Sequence, residues 1–260
     1  MNRFQDARKS RDAQPVSMTT PVHGVDTPAD LTELLSAAGW GRLADRILAG
    51  GCHDLNGRSS ALYGLAELAR AEDDPEFLTE ALSTEAKRIQ ALAASLRTLS
   101  DRAPDDPRAL SIREELDSVS ELFSLQPGGE RFRIDIVSDP ATPAAYAPCR
   151  ALTRAVLLAL SVVAANVLRN HPRGSLRMST APVDGQPALL IEGQGRESGH
   201  GPDPGSRELR EQFAEWPVEL SDVFESFGAD VRFQDGVLSE GAGPLVEVRL
   251  PRPPEAKPER

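Results

Sequence analysis

Aromatic residues and cysteines are scarce in this chain of 260 residues. Phe, Trp and Tyr make up 5% of the sequence, and there are 2 cysteines. A core with few rings must be built mainly from Leu, Val and Ala, which suits helix-on-helix packing, so the composition favours helix. Cys52 and Cys149 lie far apart without a CxxC or metal-ligand spacing, which indicates neither a disulfide framework nor a zinc site and fits a reducing cytoplasm.

Positive charge is also in deficit. The 29 Lys and Arg residues against 40 Asp and Glu residues leave a net charge of -11. An anionic surface is repelled by nucleic-acid backbones and by anionic lipid head groups, so neither partner is expected. The N-terminal region lacks the apolar core of a signal peptide. The most apolar stretch, residues 155–168, is shorter than the roughly 20 residues of a bilayer span. We therefore expect a cytoplasmic protein in which this stretch is a buried helix.

Two helices with heptad spacing are predicted in residues 28–102, after a leader, residues 1–27, that is expected to be flexible. An acidic turn ending at Pro75 separates the helices. Because a helical hairpin buries only one stripe of each helix, we expect two copies to pair as a homodimeric four-helix bundle. The predicted apolar seams are Leu48, Cys52, Leu55, Ser59, Leu62, Ala66 and Ala69 in the first helix, and Leu78, Leu82, Glu85, Ile89, Leu92, Leu96 and Leu99 in the second.

A second domain is predicted over residues 108–250, after a breaker-rich linker at 103–107 and before a Pro- and charge-rich tail, 251–260, that is expected to be flexible. The order of its elements predicts an α+β sandwich whose mixed sheet is covered on one face. Helices are predicted at 112–125, 148–169, 208–213 and 218–227, and strands at 131–137, 175–180, 188–192, 230–234 and 244–250.

His53 is the strongest candidate for chemistry. Along its own stripe of the first helix the following positions are small: Gly57, Ser60 and Gly64. An imidazole above small neighbours is accessible to another protein's active site, and its ring nitrogen can attack a phosphoryl group. The alternative is that His53 is an ordinary surface histidine.

The residues beside His53 add to this hypothesis. Asp54 is expected to orient or deprotonate the imidazole, and Asn56 supplies an amide nearby. The glycines Gly50 and Gly51 are unusual inside a helix, since each costs about 1 kcal/mol relative to Ala. They indicate a bend or a close approach of another backbone.

Several segments resemble two-component sensor histidine kinases. Residues 53–56 (HDLN) and 61–68 (ALYGLAEL) look like the H-box of the dimerisation and histidine-phosphotransfer domain, and residues 85–92 (EAKRIQAL) are similar to its second helix. Residues 112–250 resemble the ATP-binding domain of the Bergerat (GHKL) type. The resemblance implies a phospho-accepting His53 on a dimeric hairpin, followed by an α/β sandwich.

The ATP-binding motifs of that family are incomplete in this chain. In residues 157–172, Asn166 falls on the metal-binding asparagine of the family, whereas Val162 stands one turn earlier where a second asparagine is usual. The adenine-reading Asp-x-Gly-x-Gly motif corresponds to Ile191-Glu192-Gly193-Gln194-Gly195, in which the glycines match, the aspartate is missing and Glu192 is one residue out of register. The resemblance therefore implies a degenerate nucleotide site without a firmly bound cofactor.

The resemblance and the residues together predict a histidine phosphotransferase that carries a phosphoryl group on His53 between receiver-domain aspartates, with Mg²⁺ supplied by the receiver and no metal site of its own. Two alternatives are compatible with the same residues. One is a divergent kinase that uses Asn166 and Glu192 to hold Mg-ATP, and the other is a non-catalytic pseudokinase scaffold that binds a response regulator. The expected docking residues are Gly57, Arg58, Ser60 and Gly64, with Arg58 as a local cation.

Overall fold

A computed structural model describes the chain over six ranges: residues 28–68, 75–100, 105–171, 173–196, 218–234 and 245–254. The predicted leader at 1–27, the predicted helix at 208–213 and the last six residues of the predicted tail lie outside the described residues.

The N-terminal part contains three helices, α1 (Pro28–Ala37), α2 (Trp40–Leu68) and α3 (Pro75–Ser100). The first long helix predicted from the sequence is divided, because Gly39 adopts a φ of 89° in the left-handed region that glycine tolerates best. Helices α2 and α3 pack together as the expected hairpin. On α3 all seven predicted seam positions are buried or partly buried, so the heptad pattern of this helix is confirmed.

On α2 the predicted seam fits less well, because three of its six described positions, Cys52, Ser59 and Ala66, are exposed. A Cβ atom at Gly51 would lie 2.6 Å from a methyl carbon of Leu96, so Gly51 is the residue that faces α3. Cys52 is exposed, and the expectation that it is a core residue is therefore wrong for the single chain. The reason is rotational, since adjacent residues on a helix project about 100° apart and Gly51 takes the inward direction.

The C-terminal part is a helix-covered sheet. Its helices are α4 (Ile112–Leu125), α5 (Cys149–Asn170) and α6 (Val218–Ser226), and a 3₁₀ turn spans Gly129–Arg131. Its strands are β1 (Arg108–Leu110), β2 (Phe132–Ser138), β3 (Ala145–Ala147), β4 (Arg173–Val183), β5 (Gln186–Arg196), β6 (Asp230–Gln234) and β7 (Leu245–Arg249).

The main sheet has the strand order β2-β4-β5-β7-β6. Strands β2 and β4 are parallel and the other pairs are antiparallel, which confirms the predicted mixed sheet. Side chains alternate across it, so that Leu176 and Met178 are fully buried while Arg177 between them is exposed. Helices therefore cover one face and the other is open, as predicted. The short strands β1 and β3 pair separately.

The base of the hairpin and the sheet domain share one hydrophobic core. Leu35 of α1, Leu43 and Ile47 of α2 and Leu99 of α3 belong to the same buried cluster as Phe123 of α4. Helix α1 packs on α6, and α4 packs on both α2 and α3. The two predicted domains are consequently packed against each other through this shared core.

Helix α5 contains a stretch, Cys149–Leu168, that is long and apolar enough to cross a membrane by composition. However, 89% of its most apolar window is buried within the fold, as in a core helix.

The first residues of the predicted flexible tail pack on the fold. Tyr146 donates its backbone N–H to the Pro251 carbonyl at 2.8 Å, and Arg252 contacts Gly185. Pro251 and Arg252 therefore contact the sheet domain.

Candidate functional site

His53 lies in the middle of α2 with its side chain exposed. Within the described part of the chain, the imidazole has no hydrogen-bond or ion-pair partner. Neither ring nitrogen is therefore occupied by a protein group, and a partner protein can reach both.

The glycine pair before His53 serves close packing and does not interrupt the helix. A Cβ atom at Gly50 would overlap the backbone carbonyl oxygen of Leu125, at the C-terminal end of α4. Ser95 of α3 also approaches α4, donating its hydroxyl to Glu121 at 3.4 Å. The close backbone approach expected from the glycines is confirmed, and it brings the end of α4 to one helical turn from His53.

The stripe of small residues beyond His53 is open. Gly57, Ser60 and Gly64 are all exposed, and a Cβ atom at Gly57 or Gly64 would meet no other described residue within 4 Å. The Ser60 hydroxyl donates to the backbone carbonyl of Asn56 at 2.9 Å, so it lies back against the helix. The Asn56 side chain is exposed. The surface next to His53 is therefore low and unobstructed.

Asp54 does not join His53 as expected. Its carboxylate accepts a hydrogen bond from Arg58 Nε at 2.9 Å, and Arg58 Nη1 donates to Glu85 of α3 at 3.1 Å. Arg88 donates to the other oxygen of Glu85 at 3.3 Å. Residues four apart on a helix are neighbours whereas adjacent ones are not, which is why Asp54 pairs with Arg58.

These four charged residues form an ionic layer between α2 and α3 close to His53. The hydrogen bond to Asp54, followed by the one to Glu85, raises the pKa of Arg58 above its ordinary value. The expected docking cation is thus held by two carboxylates. The heptad spacing of α3 predicts Glu85 in an apolar seam and does not predict its pairing with Arg58. The sequence offers one signal of this pairing, which is a charged residue at a seam position where leucine recurs.

The four residues of the predicted nucleotide site are distributed over α5 and β5. Asn166 is 7% exposed, and its amide nitrogen donates to the Val162 carbonyl of its own helix at 3.1 Å. Its Oδ1 atom has no hydrogen-bond partner among the described residues. Glu192, in contrast, is exposed on β5 opposite Arg177.

The alternation of β5 separates Glu192 from Asn166. Gly195 pairs with Gly174, and a Cβ atom at Gly174 would meet Val167 of α5, so this register position faces the helix. Glu192 has the opposite parity and points to the open face of the sheet. The structure therefore does not bring Asn166 and Glu192 to one ligand.

The two glycines of this motif lie inside a strand. Gly193 pairs with Leu176, Gly195 pairs with Gly174, and the ring of His171 packs over Gly195. Both glycines therefore belong to a paired strand and form no loop around a ligand.

The acidic, cysteine and histidine side chains elsewhere in the described ranges were the other candidates for metal ligands. Over the described ranges, no group of three or more His, Cys, Asp or Glu could hold a metal ion. The Sγ atom of Cys149 donates to Glu115 at 3.0 Å, and Thr153 donates to the other oxygen of that carboxylate at 2.9 Å. Burial, followed by the bond to Glu115, raises the pKa of the Cys149 thiol.

The two cysteines should differ in reactivity. A raised thiol pKa reduces the thiolate fraction, and thiolate is the reactive form. We expect a disulfide-exchange reagent at pH 8 to modify exposed Cys52 first and Cys149 at least about tenfold more slowly. Absorbance of the released thiol in wild type, Cys52→Ser and Cys149→Ser measures both rates. A faster reaction at Cys149 would contradict the contacts described for it.

Comparison with known proteins gives a likeness of structure at low identity. No family model matches the sequence, and no curated protein matches it. Solved structures that match include a bacterial phosphotransferase, with 16% identity over 85% of this chain and 97% of that chain and a TM-score of 0.41. The Acinetobacter baumannii histidine kinase AdeS matches with 14% identity over 76% of this chain and 97% of that chain and a TM-score of 0.39.

A third match is the histidine kinase ThkA, solved in complex with the response regulator protein TrrA, with 14% identity, 88% of this chain covered, 66% of that chain covered and a TM-score of 0.42. Identity and TM-score are low in all three comparisons, so any function must be supported by the residues around His53. The chain is thus similar to histidine kinases and to a phosphotransferase among solved structures, in keeping with the resemblance noted in its sequence.

Proposed function

We propose that this chain is a histidine phosphotransfer protein of a two-component phosphorelay, with His53 as the phosphoryl carrier between receiver-domain aspartates. The observation that carries the proposal is the exposed His53 imidazole without a partner in the described chain, next to the open surface of Gly57, Ser60 and Gly64. A carrier of this kind supplies position more than chemistry, because the incoming group is already activated as an acyl phosphate.

The transfer step is a displacement at phosphorus in which the His53 imidazole replaces the aspartate of the receiver. The lone pair of a neutral ring nitrogen attacks the phosphorus of an aspartyl phosphate, a P–N bond forms, and the P–O bond to the aspartate breaks. The electron pair leaves with the aspartate, which becomes a carboxylate. The proton on the other ring nitrogen is free to pass to solvent, since that side of the exposed imidazole meets no protein acceptor in the described chain. The reverse step loads a second receiver.

The shared core favours a carrier over a mobile kinase. A kinase must bring the γ-phosphate of ATP to its histidine, and a kinase that does so by swinging its sheet domain needs that domain to be free of the hairpin. The contact of Gly50 with Leu125 and the burial of Leu43 and Ile47 in the common core hold the two parts together. Movement would expose this apolar surface at a cost of about 25 cal/mol per Å².

The direct test uses a receiver domain loaded by acetyl phosphate and freed of excess reagent. Incubation with the chain should transfer phosphate to a site that is labile in acid and stable in alkali, and mass spectrometry should locate it on His53. No phosphate on the chain, with binding of the receiver retained, would support the non-catalytic scaffold instead. Because the cognate receiver is unidentified, receivers of the source genome are tested as a panel.

Filling the open surface should separate docking from stability. Gly57→Leu replaces a poor helix former with a good one, so the free energy of unfolding should rise by up to about 1 kcal/mol. The larger side chain obstructs the approach to His53, and transfer should slow by about tenfold, which corresponds to about 1.4 kcal/mol. Urea unfolding and the transfer assay measure the two effects. Unchanged transfer would remove Gly57 from the docking surface.

A divergent kinase is the second candidate, and one observation favours it. The buried Oδ1 atom of Asn166 has no partner in the described chain, and an orphan amide oxygen of this kind is suited to a cation. Calorimetric titration with Mg-ATP tests this function. Binding at micromolar concentration that is lost in Asn166→Leu, together with labelling of His53 from ATP, would establish the kinase and overturn the carrier.

A further inference from the structure

Glu85 occupies an unusual place for a carboxylate. It stands in the seam of α3 between Leu82 and Ile89, and its side chain is 12% exposed. Withdrawing a charge from water at such a position costs free energy that an ion pair only partly returns, and a well-packed apolar pair is often more stable. The hairpin therefore carries at this layer an arrangement that packing alone does not require.

The partner of Glu85 retains donors that nothing in the described chain uses. A guanidinium has five N–H groups. Arg58 directs its Nε group to Asp54 and one Nη1 group to Glu85, and the other donors have no acceptor among the described residues. The Arg58 side chain is 29% exposed, and it follows Gly57 directly in the chain. Its guanidinium is thus partly exposed and held by two carboxylates, on the helical turn that follows His53.

We propose that Glu85 is a positioning residue for phosphotransfer, which holds Arg58 so that the remaining N–H groups contact the carboxylates of an incoming receiver. This inference rests on the proposed function of His53. The ionic layer fixes the side chain in advance, so little rotamer freedom is lost when the partner binds. It also explains how a chain of net charge -11 meets an acidic partner, because Arg58 and Arg88 neutralise Asp54 and Glu85 at the contact.

The proposal predicts that stability and transfer change in opposite directions. In the double variant Arg58→Leu, Glu85→Leu, an apolar pair replaces the charged layer, and the midpoint of urea unfolding should stay equal or rise. Its rate of phosphotransfer from a loaded receiver should fall about tenfold, because a higher concentration of receiver is needed to reach the half-maximal rate. If the charged layer served stability alone, the double variant would transfer phosphate as fast as wild type, because its hairpin is no less stable.

Single variants and salt refine the test on the full chain. Glu85→Gln keeps the size of the side chain and weakens its hold on Arg58, so the transfer rate should fall. Arg58→Lys keeps the positive charge and should retain part of the wild-type rate. Added salt should slow transfer by wild type and have less effect on the double variant, because the screened contact is absent there. The control is Arg113→Leu, Asp117→Leu, which removes an exposed ion pair on α4 and should leave transfer unchanged.

The outcomes distinguish this inference from the proposed function. If wild type receives no phosphate on His53, the carrier function fails and this proposal fails with it. If wild type transfers and the double variant matches its rate and its salt dependence, the carrier function stands and the role of Glu85 is overturned. A fall in transfer that follows a fall in unfolding midpoint would equally overturn it, as a stability effect.

Discussion

His53→Gln is expected to reduce phosphate transfer from a loaded receiver by at least about a thousandfold, because the substitution removes the only proposed nucleophile. The side chain is exposed and has no partner in the described chain, so its loss should change the free energy of unfolding by less than about 0.5 kcal/mol. Rapid quench of the transfer reaction and urea unfolding of the same preparation provide both measurements.

A matched variant guards against indirect effects on this result. Asp45→Ala removes another exposed polar group from the same helix and leaves the imidazole in place. We expect transfer to persist in this variant, and receiver binding to persist in both. Phosphate recovered on another residue of the His53→Gln chain would refute the assignment of His53 as the carrier.

Gly50→Ala is expected to have the largest effect on stability among single methyl additions to α2. The new Cβ atom would overlap the Leu125 carbonyl oxygen, and a backbone group cannot move aside as a flexible side chain can. Overpacking of this kind costs about 1–3 kcal/mol. The free energy of unfolding should fall by that amount in urea titration, and transfer should weaken as α4 is displaced from the turn before His53.

The same substitution at Gly64 is the control. Apart from its own helical turn, a Cβ atom there meets no atom of the described residues within 4 Å, and replacing glycine by alanine inside a helix gains up to about 1 kcal/mol. Gly50→Ala and Gly64→Ala should therefore shift the unfolding midpoint in opposite directions. A stabilising effect of Gly50→Ala would mean that α4 does not contact α2 at this point.

Local patterns in the sequence predicted much of the fold. Apolar residues at helical spacing gave α4 its bounds of 112–125, and the three-and-four spacing gave the seam of α3. The energetic cost of glycine inside a helix correctly indicated a close approach at Gly50. These properties depend on residues within a few turns of one another, where hydrophobic periodicity and backbone preference act directly.

The sequence alone also identified His53 as the candidate nucleophile and the small residues along its stripe, since helical spacing determines which side chains share a face. The rotation of α2 about its axis was decided by packing. Gly51 allows Leu96 to approach, and this turns Cys52 outward. No local pattern distinguishes these two neighbours, because the choice depends on the shape of α3.

Only the tertiary structure decided how the charged groups pair. Glu85 is 27 residues from Arg58 in sequence, and the antiparallel packing of α2 and α3 brings them together and draws Asp54 toward them. The pairing of β5 likewise turned Glu192 away from α5 and from Asn166. The sequence determined which side chains can perform chemistry, and the tertiary structure decided which of them meet, because ion pairs and strand register depend on contacts between distant segments.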